Sequence, residues 1–544
     1  MIGYPFCKML PKKEDKLVPA IEALRPDVVL ATPPPISHRT AEENLGLGYI
    51  ASALRHDGRV VEIVDGWLRG LDSHQLASEI LKLSPKTFIG FSCYRSNIGR
   101  TMEVANLLRT FGLVIPLVAG GYGPTFEPEE FLKAGFNIVV SGEAEKTVLD
   151  LFSYFSTGLP DLEIINGISY VKDGIIKHNP SRPLELDIDR ISFPSRDTMH
   201  LAIERRSAVH IISARGCQAH CVFCSIVAFQ KLSVGPQWRQ RSIPNIVDEL
   251  EILNEQGAAC FKVIDDSFIE PPRDEVWCKA LADEIQHRGL NIRLRSSIRA
   301  DRVTDEIVKQ LKRAGFFAFS CGIENASDSA LKRMGKSATK EQNIVALEIF
   351  KKYGIYVQAG HILFDHGTTI SELNENYEFM RKYIWTISKG IFTEMYAADG
   401  TPFTKFLNNK RLLKLDEKGL GNNTYDVQDP DARKAYRALK LWHKSHIKVY
   451  DMVIDPISAP KALEFEELEL FHALSVSLRE KDLGFMRWVL DWIGDGISEE
   501  KILEYASDYV EYSQDWYQSF EVKVLDAYRQ TRLIYDGHEN PFID

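Results

Sequence analysis

Two separate series of strand-then-helix alternation run along this chain, and a helical tail follows them. In the first series, short apolar runs at 28–31, 60–64, 88–92, 117–119 and 138–140 are spaced by helical patterns such as LGYIASALRHDG, TMEVANLLRTFG and EAEKTVLDLFSYF. Short buried runs separated by helix-length segments predict parallel strands with crossover helices, hence a doubly wound α/β sheet. Such a sheet takes ligands beyond the carboxyl ends of its strands, where the strand order reverses. GISYVKDGIIKHNP then predicts a hairpin turning at Asp173-Gly174, and Pro180, Pro183 and Pro194 mark a linker.

The second series starts at Val209, with strand-like runs VHIIS, FKVI, IRLRS, FFAFSCG, YVQAGHILF and IFTEMY. Six βα units predict a partial parallel barrel, with its chemistry at the carboxyl ends of the strands. Asn245 is the expected N-cap of the helix IVDELEILNEQG, and DEIVKQLKRAG is the helix of a later unit. Past about residue 400 the strand signal fades, and helices are expected at 439–452, 462–479, 483–493 and 499–529. Trp488, Trp492 and Trp516 read as packing anchors there, and His443 and His446 as exposed helix residues. The expected division is 1–157, 158–200 for hairpin and linker, 201–400 for the barrel and 401–544 for the helices.

At 544 residues the chain is too long for one hydrophobic core. Its net charge of −10, with no basic run, argues against nucleic acid or an anionic membrane as partner. A small molecule or a peptide is the expected substrate. No apolar run approaches a membrane span, and MIGYPFCKMLPKKEDKL lacks the apolar core of a signal peptide. Eight cysteines are too few for a disulfide scaffold, so a reducing, cytoplasmic setting is expected.

Three of those cysteines crowd into SARGCQAHCVFCSI: Cys217, Cys221 and Cys224, spaced C-x3-C-x2-C directly after the strand HIIS. Three thiolates on a short loop suit an iron–sulfur cluster or zinc. Zinc needs a fourth ligand, for which only His220 stands in the loop; three buried structural cysteines are the plainest alternative. A four-iron four-sulfur cluster on three cysteines leaves one iron open, the mark of a catalytic centre.

C-x3-C-x2-C with Phe223 before the last cysteine, set at the first strand of a barrel, resembles the signature of radical S-adenosylmethionine enzymes. The resemblance implies that the open iron binds the amino and carboxylate groups of S-adenosylmethionine, and that a 5′-deoxyadenosyl radical takes a hydrogen from substrate. It also points to further residues. Asp265 and Asp266, in IDDSF, occupy the place of the family's Gly-Gly-Glu segment, although they also suit a loop cap. Ser297 and Arg299, in RSSIRAD, match a region that meets the ribose and carboxylate, with a surface salt bridge as the alternative for Arg299. Glu324, in CGIENAS, resembles the glutamate that accepts from ribose hydroxyls. Gly360 and His361 lie on the adenine-side strand, and Arg215 and Arg241 are candidates to steady the cluster loop or the ligand.

The front sheet carries LGLGYIASALR, GFSCYR, AGGYGPTFEPEE and VVSGEAEKTV at its strand ends, which resemble the cobalamin-binding domain of cobalamin-dependent radical S-adenosylmethionine enzymes. The expected architecture is therefore a Rossmann-like cobalamin-binding domain, a partial (β/α)6 radical barrel and a helical C-terminal domain. Gly120 and Gly121 would let backbone approach a large flat ligand, or simply make a tight βα turn, and Ser92 would hydrogen-bond its edge. The Asp-x-His-x-x-Gly motif of other cobalamin domains is missing from TPPPISHRTAEENLGLG; His38 does not fit it, so histidine-off binding is implied.

Together the resemblances imply a methyltransferase acting on an unactivated carbon or phosphorus of a natural-product intermediate, with flavodoxin or ferredoxin as electron donor. The alternatives are a non-methylating radical reaction (cyclisation, ring contraction or epimerisation, with Cys321 or Cys93 conceivable as hydrogen donors) and a cobalamin or iron–sulfur sensor. A transfer-RNA methylthiotransferase would need further clustered cysteines near the N-terminus, where only Cys7 and Cys93 stand.

Overall fold

A computed structural model describes residues 25–33, 43–414, 423–458 and 461–533. His38 and Cys7 lie outside these described residues.

The front sheet is built around β1 (Val28–Thr32), whose residues are all buried because strands flank it on both sides and helices cover both faces. β2 (Val61–Asp65) and β3 (Phe88–Ser92) pair with it in parallel. β4 (Leu117–Gly120) and β5 (Ile138–Val140) continue the parallel sheet beyond β3. The order β2-β1-β3-β4-β5 is doubly wound, with helices Leu45–His56 and Thr147–Thr157 packed on one face and Ser73–Leu83 and Ile98–Thr110 on the other. The expected hairpin forms as β6 (Ile168–Lys172) and β7 (Ile175–His178). Asp173 and Gly174 both have positive φ, as a two-residue hairpin turn requires. One feature of the hairpin was not read from the sequence: it joins the same sheet, with β6 antiparallel to β5.

The second unit is a parallel sheet of five strands: β8 (Val209–Ile211), β11 (Cys260–Val263), β12 (Arg293–Arg299), β13 (Phe316–Glu324) and β14 (Tyr356–His361), in that spatial order. The expected sixth strand, IFTEMY, is reduced to one isolated parallel bridge, Phe364 with Glu394, and a second such bridge, Gln358 with Ile387, lies just before it. The chain turns at Gly390 (φ +72°) between them, so no continuous ladder forms. After β8 the chain leaves the sheet, and β9 (Ala214–Gly216) pairs antiparallel with β10 (Trp238–Gln240). The next helix starts earlier than expected. Ser242, not Asn245, is its N-cap, accepting from the Asn245 N–H at 3.3 Å, while Asn245 Oδ1 accepts from Arg241 Nε.

The tail forms helices Pro430–Ser458, Phe465–Gly494 and Glu499–Thr531. Two helices expected at 462–479 and 483–493 are one. The polar residues between those ranges stay within the helix: Asp482 is buried and accepts from Trp442 Nε1 at 2.8 Å and Tyr450 O–H at 2.6 Å. His443 and His446 are not exposed. His446 stacks on Tyr517 and His443 on Tyr450, and burial pushes both imidazoles down to about 4. Trp492 and Trp516 pack against the helical core, whereas Trp488 is half exposed. The bundle closes the barrel at the amino ends of its strands. Arg295, on β12, donates to the carbonyls of Ile457 and Ser458 at the end of the first long helix.

Candidate active site

The cysteine loop begins with a turn that only glycine can make. Gly216 has φ +90°, and a Cβ there would stand 1.9 Å from the Gln237 carbonyl oxygen. Beyond it the loop is pinned by main-chain bonds, Val222 N–H to Met334 O at 3.0 Å and Phe403 N–H to Val222 O at 2.9 Å. Cys224 precedes the short helix Ser225–Gln230. All three thiols line one cavity of about 280 Å³ at the carboxyl ends of the barrel strands. Burial pushes the Cys217 thiol up to about 12 and raises Cys221 and Cys224 as well, so a bound cation must displace protons to take them as thiolates. Among the described residues, no three His, Cys, Asp or Glu side chains converge on a single-ion site, and His220 points out to solvent. The donor set suits a cluster that fills a cavity wall.

The structure brings Asp266, Ser297, Arg299 and Glu324 to the same cavity as the thiols. Asp265 does not reach it. It turns inward, accepts from Ser213 N–H at 2.7 Å and lies beside Arg273, with no side-chain exposure. Successive residues past a strand end face opposite ways, and only Asp266 faces the open side. Burial raises Asp266 to about 6, while its Oδ2 accepts from Gly216 N–H at 3.1 Å. Arg299 is held between Glu270 (3.0 Å) and Asp301 (2.6 Å), and Glu270 in turn lies 3.5 Å from Cys217 Sγ.

Glu324 has φ +58° where the register with β14 slips, an uncommon conformation for a non-glycine residue that aims its carboxylate into the cavity. Its partner is Lys336, 3.1 Å away, which also lines the cavity. Nothing in the MGKS context of Lys336 singled it out in the sequence. The cavity wall further includes Gln358 and Ser320, both acceptors for Arg295, and Gly360. His361 turns the other way, its ring edge on Phe379, and burial lowers it to about 3. Cys321 is buried, with its thiol pushed up to about 12, and Cys93 belongs to the front core. Arg241 is tied to Glu249 and to Ile212 O at 2.7 Å, a structural role.

A second cavity, of about 290 Å³, opens in the front unit between the sheet and the helices Leu45–His56 and Thr147–Thr157. Its depth is apolar, with Leu30, Phe88 and Val118. Ser92, Gly120 and Gly121 line it, and Ser92 Oγ accepts from Asn44 Nδ2 at 3.2 Å. A Cβ on Gly120 would meet nothing nearer than Val140 at 3.8 Å and would stand in the cavity itself. Gly121 is needed for the turn: φ is +102°, and a Cβ would lie 2.6 Å from the Cys93 carbonyl oxygen. This is a cradle for a broad, mostly apolar ligand with a few polar edges.

The barrel completes this second cavity with Ile212, Arg215 and Phe229. Tyr122, just past Gly121, stacks on Phe229 at 6.3 Å. Arg196 bridges Glu43 (2.8 Å) and Glu249 (2.7 Å), and Arg95 pairs with Asp399. The two cavities thus flank one junction.

Comparison with known proteins agrees with both halves. The radical SAM superfamily profile matches residues 211–380, and the B12 binding domain profile matches residues 36–152. The chain is a radical SAM enzyme with a B12-binding domain. These domains imply a four-iron four-sulfur cluster, S-adenosylmethionine and cobalamin as cofactors, and the three thiols lining one cavity and the glycines and apolar depth of the other are donors and surfaces of the kind such groups take. The chain is 29% identical over 447 residues to a protein from Pyrococcus horikoshii named uncharacterized methyltransferase PH0819, covering 80% of this chain and 91% of that one. It is 27% identical to the anaerobic magnesium-protoporphyrin IX monomethyl ester cyclase of Rubrivivax gelatinosus, spanning 62% of this chain and 61% of the cyclase. The structure of the cobalamin-dependent S-adenosylmethionine radical enzyme OxsB with aqua-cobalamin and S-adenosylmethionine bound superposes with a TM-score of 0.71, covering 94% of this chain and 82% of OxsB at 20% identity. At that identity the likeness is one of fold, and it extends through the helical tail.

Proposed function

We propose that this enzyme is a cobalamin-dependent methyltransferase acting on a carbon or phosphorus of a small natural-product intermediate. The observation that carries the reading is the placement of the two cavities on either side of one junction, with Arg215 in the wall of one and Cys217, two residues on, in the wall of the other. Substrate held between them would be within reach of both cofactors, and orientation of this kind supplies much of the rate.

In this reading Cys217, Cys221 and Cys224 hold the cluster. Asp266 offers a carboxylate to the ammonium of S-adenosylmethionine, Ser297 and Arg299 offer donors to its ribose and carboxylate, and Glu324, steadied by Lys336, accepts from its hydroxyls. Ser92, Gly120 and Gly121 seat cobalamin. When bound, the cofactors supply one-electron chemistry, hydrogen abstraction and a transferable methyl group. The protein's own part is to orient them and exclude water. In the cavity wall Ser320 and Gln358 are both held by Arg295, which donates to each of them. A small acidic redox protein of the flavodoxin or ferredoxin kind would supply electrons, and a cytoplasmic setting would keep the thiols reduced. Among the described residues no helix is long and apolar enough to cross a membrane.

The test is anaerobic reconstitution with iron, sulfide and cobalamin, followed by S-adenosylmethionine carrying a labelled methyl group. Labelled product together with 5′-deoxyadenosine and S-adenosylhomocysteine is expected. Deoxyadenosine with no label in product would favour a non-methylating reaction, the second reading to which the cyclase relative points. Cys221→Ala should abolish deoxyadenosine formation in either case.

A further inference from the structure

We propose that Arg215 is a positioning residue shared by both cofactor sites, so that filling the sheet cavity helps retain the cluster and the cluster in turn tightens the sheet cavity. The inference rests on the assignment of cobalamin to that cavity.

Arg215 lies at the centre of β9, where antiparallel pairing sets it opposite Arg239. Both guanidinium groups cross the junction to the loop that follows β5. Arg215 Nη1 lies 3.1 Å from Glu143 and Nη2 lies 2.7 Å from Glu145, while Arg239 also pairs with Glu143. The Arg215 guanidinium sits over the Tyr49 ring at 4.9 Å. Tyr49, Glu143, Glu145 and Arg215 all line the sheet cavity. On its other side Arg215 is followed by Gly216, whose N–H is held by Asp266, and then by Cys217; Asp266 and Cys217 line the barrel cavity. Three consecutive residues, Arg215 to Cys217, therefore run from the wall of one site to the wall of the other.

These charges are largely out of water, with side-chain exposures of 12% for Arg215 and 17% for each glutamate. Their attraction is strong there but depends on geometry, because a carboxylate that drifts leaves a buried guanidinium unpaired. A ligand packed against Tyr49, Glu143 and Glu145 restricts all three. Arg215 then pairs with carboxylates already in place, and the strand leading into Cys217 loses less freedom when the cluster binds. Coupling of this kind is reciprocal. The other junction pairs, Arg95 with Asp399 and Arg196 with Glu43 and Glu249, include no residue that lines either cavity.

The full-length chain is reconstituted anaerobically, and decay of the cluster absorbance under an iron chelator is followed with and without hydroxocobalamin. Retention of hydroxocobalamin by the cluster-free and cluster-loaded chain is measured by equilibrium dialysis. Cobalamin should slow cluster loss about tenfold, and the cluster should tighten cobalamin binding by a similar factor. Both factors should fall close to one in Arg215→Met and in Glu145→Gln, return in part in Arg215→Lys, and persist in Asp399→Asn. Glu145→Gln serves if Arg215→Met fails to fold. If wild type binds cobalamin in dialysis yet loses its cluster at an unchanged rate, the coupling is refuted and the cobalamin assignment stands. If no cobalamin is retained, both fall. Full coupling in Arg215→Met overturns the role of that residue.

Discussion

Glu324 and Lys336 face each other across 3.1 Å in the wall of the barrel cavity, the carboxylate with 15% and the ammonium with 7% of its side chain exposed. Burial works against the ammonium, but Glu324 and Cys221 outweigh it and raise the lysine above its ordinary value. Gly322 makes room for the pair, because a Cβ there would lie 2.7 Å from Glu324 Oε1 and 2.9 Å from Lys336 Nζ.

Lys336→Met should leave Glu324 as a buried, unpaired carboxylate and destabilise the cluster-free chain by about 3 kcal/mol in urea unfolding. Adding Glu324→Gln should recover part of that loss. If the single variant unfolds with the wild-type midpoint and slope, the pair is not structurally significant.

Gly216→Ala should cost the cysteine loop its entry turn, since the new methyl group would overlap the Gln237 carbonyl at a backbone angle that alanine resists. Iron and sulfide retained per chain after reconstitution should fall to near zero, while far-ultraviolet circular dichroism stays close to that of wild type. Wild-type iron content in this variant would contradict the geometry of the turn.

Gly120→Leu should fill the sheet cavity without disturbing the sheet, because the position has no close neighbours. Hydroxocobalamin binding should weaken by at least about tenfold, equivalent to roughly 1.4 kcal/mol. Cluster assembly should persist. Unchanged binding would place cobalamin elsewhere.

Asp482→Asn should reshape the pH dependence of stability. Burial raises Asp482 to about 7, with the bonds from Tyr450 and Trp442 opposing the shift. A carboxyl group whose pKa is higher folded than unfolded binds more protons in the native state, so its contribution to stability declines as pH rises from about 4 to 7. The wild type should lose stability across that window, and Asp482→Asn should flatten the loss. Parallel wild-type and variant curves of unfolding free energy against pH would rule this out.

The order of elements along the chain was legible because its signals are local. Buried parallel strands such as β1 read as short apolar runs wherever they finally sit, and Asp173-Gly174 states its own turn. The three cysteines were legible for the same reason, since eight residues of chain bring them together in any fold. Failures came where a local signal met a tertiary partner. The gap expected between 479 and 483 does not form, because Trp442 and Tyr450 satisfy the buried Asp482 within one helix. His443 and His446 looked solvated until aromatic rings covered them, and IFTEMY had strand composition but no ladder to join.

The sequence by itself determined the alternation of strands and helices, the glycine turns and the cysteine loop, because each depends on backbone preference and on neighbours a few residues away. Only the tertiary structure decided which of two adjacent aspartates faces the cavity, that Lys336 answers Glu324, and that Arg215 reaches Glu143 and Glu145 across the junction. Those outcomes rest on contacts between residues far apart in the chain. Their energies come from shared burial, and burial exists only once the sheet, the barrel and the helices have packed together.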